Sequence, residues 1–207
     1  GKGRLATIVH GPADSLAVDF DTELADATYL NMDFGSLQGR ISLVDDQNVL
    51  RFDAVRGRSG ETPYVVSGPI DFRGEGSLGL DVTFPGGRVE DFLAIFRPLT
   101  RDLSWFPQSI RGRLEAKGRV HGGLGLAQLI VDTRISGSDW TFFGERFRSV
   151  RFSGGYASGG YTMRDLEARK RSGAITGGIS FDSKGRFDWK FLSRDFTLRD
   201  LDAMLRL

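Results

Sequence analysis

The chain has no cysteine and only two histidines, His10 and His121, among its 207 residues. The first absence excludes a disulfide scaffold and a cysteine metal site, and leaves the redox compartment open. The second leaves no two-histidine metal motif, and the acidic residues nowhere take the spacing of an EF-hand loop, so both histidines read as ordinary turn residues. No metal and no cofactor is expected. Charge of one sign is also missing. The formal net charge is +1, and acidic and basic residues interleave along the whole length, which argues against nucleic acid as a partner. Long apolar runs are absent too: residues 124–131, the longest, are broken by Gly125 and Gln128 and fall far short of the roughly 20 residues a helix needs to cross a bilayer. The chain opens with Gly1-Lys2-Gly3 rather than with methionine or a signal peptide, and it is expected to be a piece of a longer protein whose anchor or targeting segment lies elsewhere.

What the chain does have is glycine, 28 residues of it, and a period of two. Arg111, Arg113, Glu115, Lys117 and Arg119 alternate with Ile110, Gly112, Leu114, Ala116, Gly118 and Val120. One face is charged and the other apolar or glycine, the pattern of a half-buried antiparallel strand. Ile175, Gly177, Ile179 and Phe181 share one parity; beyond the polar turn at 182–185, Phe187, Trp189 and Phe191 share one parity against Arg186, Asp188 and Lys190. That is a hairpin with one apolar, aromatic face.

This stretch occurs twice. Ile175, Gly177, Ile179, Phe181, Gly185, Asp200, Ala203 and Arg206 fall without a gap on Val66, Gly68, Ile70, Phe72, Gly76, Asp91, Ala94 and Arg97. With a gap at residues 61–64, Arg169, Arg171, Ser172 and Gly173 meet Arg56, Arg58, Ser59 and Gly60. A recurring unit of roughly 45 residues is the mark of an architecture in which units bury their apolar faces by stacking on neighbours. Each copy closes with a short amphipathic helix, expected over Val89–Arg97 before Pro98 and over Arg199–Arg206.

In chain order, strand-like runs cover residues 5–10, 15–20, 27–34, 37–44 and 49–55, with turns expected at 11–14, 23–26 and 45–48. After the first copy, Trp105-Phe106-Pro107 marks the boundary between two similar halves, residues 1–100 and 101–207, which together are expected to make one continuous sheet. Runs at 126–135, 140–143, 147–156 and 161–168 complete the series, with a parity slip near Ser149 read as a β-bulge. The total is roughly fourteen strands spaced 8 to 12 residues apart. The fold class is therefore all-β and mostly antiparallel, with repeated hairpins forming an elongated curled sheet and one or two short helices.

Motifs for chemistry are weak. Gly122-Gly123-Leu124-Gly125 lacks the phosphate-loop pattern and a following helix, and reads as a hairpin turn. No serine sits in a GxSxG elbow or an SxxK pair. Asp182, Asp188, Asp195, Asp200 and Asp202 fall at turns and on the polar face, where solvation is their ordinary role. The ladder Arg111, Arg113, Lys117 and Arg119, with Arg146, Arg148 and Arg151, has the spacing to follow a nucleic-acid backbone, but the interleaved acids mark a solvated outer face that discourages edge pairing. No catalytic residue emerges, and the chain is not expected to be an enzyme.

The apolar face is the stronger candidate. Phe72, Leu78, Leu80, Val82, Trp140, Phe142, Ile175, Ile179, Phe181, Phe187, Trp189 and Phe191 supply an aliphatic and aromatic strip. A closed sandwich buries such a strip; a half-pipe leaves it lining a trough for a greasy ligand. Periodicity is compatible with both.

The run Ser172-Gly173-Ala174-Ile175-Thr176-Gly177-Gly178-Ile179-Ser180-Phe181, followed by Phe187-Asp188-Trp189 and by Asp195-Phe196-Thr197-Leu198-Arg199-Asp200-Leu201, resembles the repeating unit of the AsmA-like superfamily, which includes TamB-type translocation and assembly proteins. The resemblance is strongest over residues 110–207. It implies a periplasmic piece of a longer, inner-membrane-anchored protein whose β-groove shields phospholipid acyl chains in transit between inner and outer membranes, with an outer-membrane barrel protein as a partner in envelope assembly. The apolar residues of that strip would then bind lipid. The alternative is a structural β-repeat scaffold or interaction domain with a closed core and no lipid cargo.

Overall fold

Alternation of apolar and charged residues over a dozen segments produces one sheet. The structure, a computed structural model, describes residues 2–12, 17–44, 48–100, 109–142 and 144–196, with backbone alone for 98–100. Its strands are β1 (Lys2–His10), β2 (Ala17–Tyr29), β3 (Met32–Val44), β4 (Val49–Ser59), β5 (Thr62–Asp71), β6 (Ser77–Arg88), β7 (Arg111–Gly122), β8 (Leu129–Phe142), β9 (Glu145–Ala157), β10 (Gly160–Arg169), β11 (Ala174–Phe181) and β12 (Phe187–Arg194). They lie side by side in chain order as a single 12-stranded sheet, every pair antiparallel. Among the described residues one helix, α1 (Val89–Thr100), interrupts the meander between β6 and β7, and a single 3-10 turn spans Leu126–Gln128. Because β6 pairs directly with β7, the sheet runs without a break past residue 100.

Among the described residues twelve strands replace the fourteen expected, because two apparent breaks are bulges inside strands. Residues 23–26 belong to β2, where the register against β3 shifts after Leu24 and Asp26 takes a φ of 55°; the true turn is at Leu30–Asn31. The segments expected at 126–135 and 140–143 are one strand from Leu129 onward, kinked at Asp139 with φ 55°. Aspartate tolerates this left-handed conformation better than most residues, so a bulge built on it resembles a turn when read from sequence. The slip expected at Ser149 is real in burial, since Phe147 and Val150 are both buried. The β8–β9 register is nevertheless unbroken there, and the left-handed residue is Asp139 on the neighbouring strand.

The two halves match strand for strand, six each. Left-handed non-glycine residues sit in the second and fourth strands of both, Asp26 and Ala54 in the first half, Asp139 and Asp165 in the second. Bulges at corresponding places raise twist and bend each half alike. The result is a curl. The Tyr29 hydroxyl donates to the Leu124 carbonyl at 2.8 Å, although β2 and β7 are separated by about five strand spacings, roughly 24 Å in a flat sheet.

Helix α1 closes one end of the concave face. Val89, Phe92 and Ile95, at helical spacing, are buried against Met32, Tyr64, Phe84 and Leu114, and Phe92 meets Phe84 edge-on with centroids 5.1 Å apart. The helix is latched at its acidic first turn, where the Asp91 carboxylate accepts from the Glu61 N–H at 3.0 Å and the Thr62 hydroxyl at 2.9 Å. Gly60, at φ 57°, leaves room for this contact, because a Cβ there would lie 2.5 Å from the Asp91 carboxylate. The helix continues through Pro98 rather than ending before it; proline's fixed φ suits a last turn at the loss of one backbone hydrogen bond. The second expected helix, 199–206, lies outside the described residues.

Candidate functional site

Between the bulges, side chains of one parity point to the concave side of each strand, so the pairing registers define continuous transverse rows. In one, Leu80, Val120, Val131, Tyr156, Tyr161, Phe181 and Phe187 stand opposite one another in succession from β6 to β12. A second runs Val66, Val82, Gly118, Thr133, Gly154, Met163, Ile179 and Trp189. In the first half Val9, Val18, Leu43, Leu50, Ile70 and Leu78 form a third. Cross-strand apolar pairs of this kind stabilise the sheet by a few tenths to about 1 kcal/mol each. They also give it one uninterrupted oily surface.

That surface is filled unevenly. At the α1 end a buried cluster joins Trp140, Phe147, Val150, Leu166 and Ala168 to the helix residues. There the Trp140 ring N–H donates to the Arg113 carbonyl at 2.8 Å, and Phe142 stacks on Phe147 with centroids 4.5 Å apart and planes 11° from parallel. At the opposite end a smaller cluster holds Leu78, Leu129, Val131 and Tyr156, with Leu124 folded against it. Between and beside them the surface is only half-buried: Val18, Phe20, Ile41, Leu43 and Phe52 on one wall, Ile179 and Phe181 on the other. Gly118, Thr133 and Gly154 put backbone and small side chains on the floor. The Thr133 hydroxyl donates to the Gly154 carbonyl at 3.2 Å, so that row keeps an apolar character despite a threonine.

The convex face is charged but neutralised in place. Arg40 meets Asp21 at 3.2 Å and Arg146 meets Asp139 at 3.0 Å. Arg151 and Arg169 both bind Glu167, whose carboxyl is held below the usual range chiefly by the Arg169 hydrogen bond. In the β5–β6 turn, Arg73 holds the Asp71 carboxyl down to about 2 by its side-chain hydrogen bonds. In the β11–β12 turn, hydrogen bonds from Arg186, its backbone N–H first, lower Asp182. Of the basic ladder, Arg146 and Arg151 are paired in this way, and Arg111, Arg113, Lys117, Arg119 and Arg148 are exposed on the outer wall. An open hollow beside Arg4, Asp21, Glu23, Arg40 and Asp53 lies on this polar side, with two arginines against three carboxylates. Among the described residues no cluster of three or more His, Asp or Glu side chains takes a metal-holding arrangement, and no helix is long and apolar enough to cross a membrane.

The residues expected to bind lipid divide into groups. Leu80, Val82, Ile179 and Phe181 lie half-buried on the concave rows, and Trp189 continues their row to the sheet edge, 60% exposed. Phe187 is exposed opposite Phe181. Ile175 and Phe191 are half-buried against the first cluster. Leu78 and Trp140 are buried inside the two clusters, and Phe142 is half-buried on its neighbour Phe147. Phe72 stands apart. It follows the last residue of β5, its N–H donates to the Asn48 carbonyl at 2.8 Å, and its ring is exposed at the turn. Tyr156, Tyr161, Met163 and the first-half wall belong to the face as well, and parity within their strands is the signal that finds them.

The histidines are not turn residues either. His10 is the last residue of β1 and His121 the next to last of β7, and each ring Nε2 lies beside an aspartate of the next strand, Asp19 at 3.2 Å and Asp132 at 3.1 Å. This pair is the repeat in its most compact form. The chain matches no family model, and no curated protein or solved structure is significantly similar to it.

Proposed function

We propose that this chain shelters phospholipid acyl chains on its concave face, as a section of a lipid-conducting β-groove. The observation that carries this reading is that the apolar rows crossing β6 to β12 run on beyond the two buried clusters, with Ile179 and Phe181 half-buried and Phe187 and Trp189 exposed. Apolar surface of that extent is unusual on a monomer that has nothing to bind. Each methylene removed from water contributes about 0.8 kcal/mol, so ten of them on the trough floor give roughly 8 kcal/mol before ordering costs. That holds a tail without specific contacts and lets it slide. No group need be activated, so the mechanism is solvation and not catalysis.

The sequence resemblance to AsmA-like proteins supports the same reading and supplies its setting. In that setting the chain works in the periplasm, within a longer protein anchored in the inner membrane, passing phospholipid toward the outer membrane, with an outer-membrane barrel protein as its partner. A scaffold role without cargo draws support from the filled cluster under α1. The two readings separate at Ile179, Phe181 and Trp189, which lie outside both buried clusters.

Native mass spectrometry of the purified chain tests this. Co-purifying phospholipid is expected, and Phe181→Glu or Trp189→Glu should reduce it while leaving the circular dichroism spectrum and melting temperature near those of the parent. Lipid-free protein after gentle purification and after incubation with phospholipid vesicles would remove the proposal in favour of the scaffold.

A further inference from the structure

The sheet has two edges. Among the described residues β1 pairs only with β2, and β12 only with β11. These edges are nine and eight residues long, and they carry exposed apolar side chains: Leu5 and Val9 on β1 at 58% exposure each, Trp189 on β12 at 60%. Long, apolar, unpaired edges are a template for adding a strand, and chains that remain single blunt them with charge, proline or a bulge. Neither strand carries a proline or a bulge, and the charges they do carry, Lys2 and Arg4 on β1 and Asp188, Lys190 and Arg194 on β12, lie on the opposite, convex side.

The molecule already contains the joint these edges would make. β12 corresponds to β6, since both follow a turn clamped by an Asp–Arg pair, Asp71–Arg73 before β6 and Asp182–Arg186 before β12. β1 corresponds to β7: Val9 faces Val18 with His10 beside Asp19, as Val120 faces Val131 with His121 beside Asp132. At the β6–β7 joint Leu80 stands opposite Val120 and Val82 opposite Gly118 on the concave side. Carrying that register onto the free edges sets Trp189 opposite Val9 and Phe191 opposite Thr7, again on the concave side. It also sets Asp188 opposite His10 on the charged side, a complementary pair.

We propose that a second copy of this chain adds its β1 to the β12 edge of the first in the β6–β7 register, so that copies join head to tail and the trough continues from one to the next. The contact is heterologous and does not close on itself, so it generates a row of subunits rather than a symmetric dimer. It stands whether or not the trough carries lipid.

The absence of cysteine makes the test clean. Val9→Cys and Trp189→Cys proteins, prepared separately and mixed with a short bifunctional maleimide, should give at least fivefold more cross-linked dimer than a mixture of Val9→Cys with Arg134→Cys, whose position lies on the convex face of β8. Light scattering of the parent should show mass rising above the monomer with concentration, and Leu5→Lys with Val9→Lys should abolish the rise in a folded protein. A monomer at every concentration with cross-linking at the Arg134→Cys level overturns the proposal. So does preferential coupling of Val9→Cys to itself, which would mean a symmetric β1–β1 dimer.

Discussion

Phe147 is the residue whose removal tests the packing most sharply. Its ring is fully buried at the α1 end of the trough, stacked on Phe142 at 4.5 Å, with the Lys170 ammonium 5.3 Å from its centroid. Lys170 also binds Glu145, so the ring forms the floor of a largely buried ion pair. Phe147→Ala deletes a fully desolvated aromatic side chain and leaves a cavity walled by strands that cannot collapse into it. Its expected cost is about 3–5 kcal/mol, with the stacking contribution of about 1 kcal/mol already inside that figure. The comparison residue is Trp189, larger but 60% exposed, where truncation to alanine should cost less than about 1 kcal/mol. Urea titration followed by circular dichroism measures both, with an unchanged slope indicating the same unfolding reaction. If Phe147→Ala costs no more than Trp189→Ala, the cluster under α1 is not the stabilising centre and the account of an unevenly filled trough is wrong.

Two further outcomes follow from the latch and the turn clamps. Asp91→Ala removes the acceptor for the Glu61 N–H and the Thr62 hydroxyl and should cost about 1–2 kcal/mol, while Asp91→Asn should recover part of it; equal melting temperatures for all three proteins would show that the helix is not held this way. The carboxyls of Asp19, Asp71, Glu167 and Asp182 are all lowered, Asp71 to about 2, so each contributes stability that is complete above the unfolded carboxylate range near about 4 and is lost as pH falls through the folded values. Melting temperature should therefore hold level from pH 8 to 5 and fall between pH 4 and 2. A melting temperature at pH 2 equal to that at pH 6 contradicts the clamps.

The period-two pattern made the sheet legible from the sequence, because strands with one oily face cannot hide their parity. The repeat was legible for the same reason: Gly177 and Gly68 keep equivalent places in strands of equal phase. Bulges were not. Asp26 and Asp139 carry left-handed backbone inside a strand, and polar residues in such a conformation read as turns until a neighbouring strand is seen to pair on both sides. Parity also misleads past a strand's end, as at Phe72, which shares the phase of Ile70 but lies beyond Asp71. The packing of α1 onto the trough was hidden for a different reason. Its apolar stripe is legible, but its acceptors, Met32 on β3 and Leu114 on β7, come together only once the sheet curls. For the candidate site, the second-half wall was readable from Ile179, Phe181 and Trp189. The first-half wall is hidden in the sequence because the alternation of Val18 and Phe20 with Asp19 and Asp21 is interrupted at 23–26 by a bulge inside β2, which looks like a strand end.

The most direct measurement of what the trough holds is photo-cross-linking from within it. A benzophenone amino acid placed at Ile179, half-buried on the concave rows, should on irradiation with phospholipid vesicles give a mass increase of one phospholipid. The same group at Arg134, on the charged side, should give none. Equal labelling at the two positions, or none at Ile179, contradicts the account.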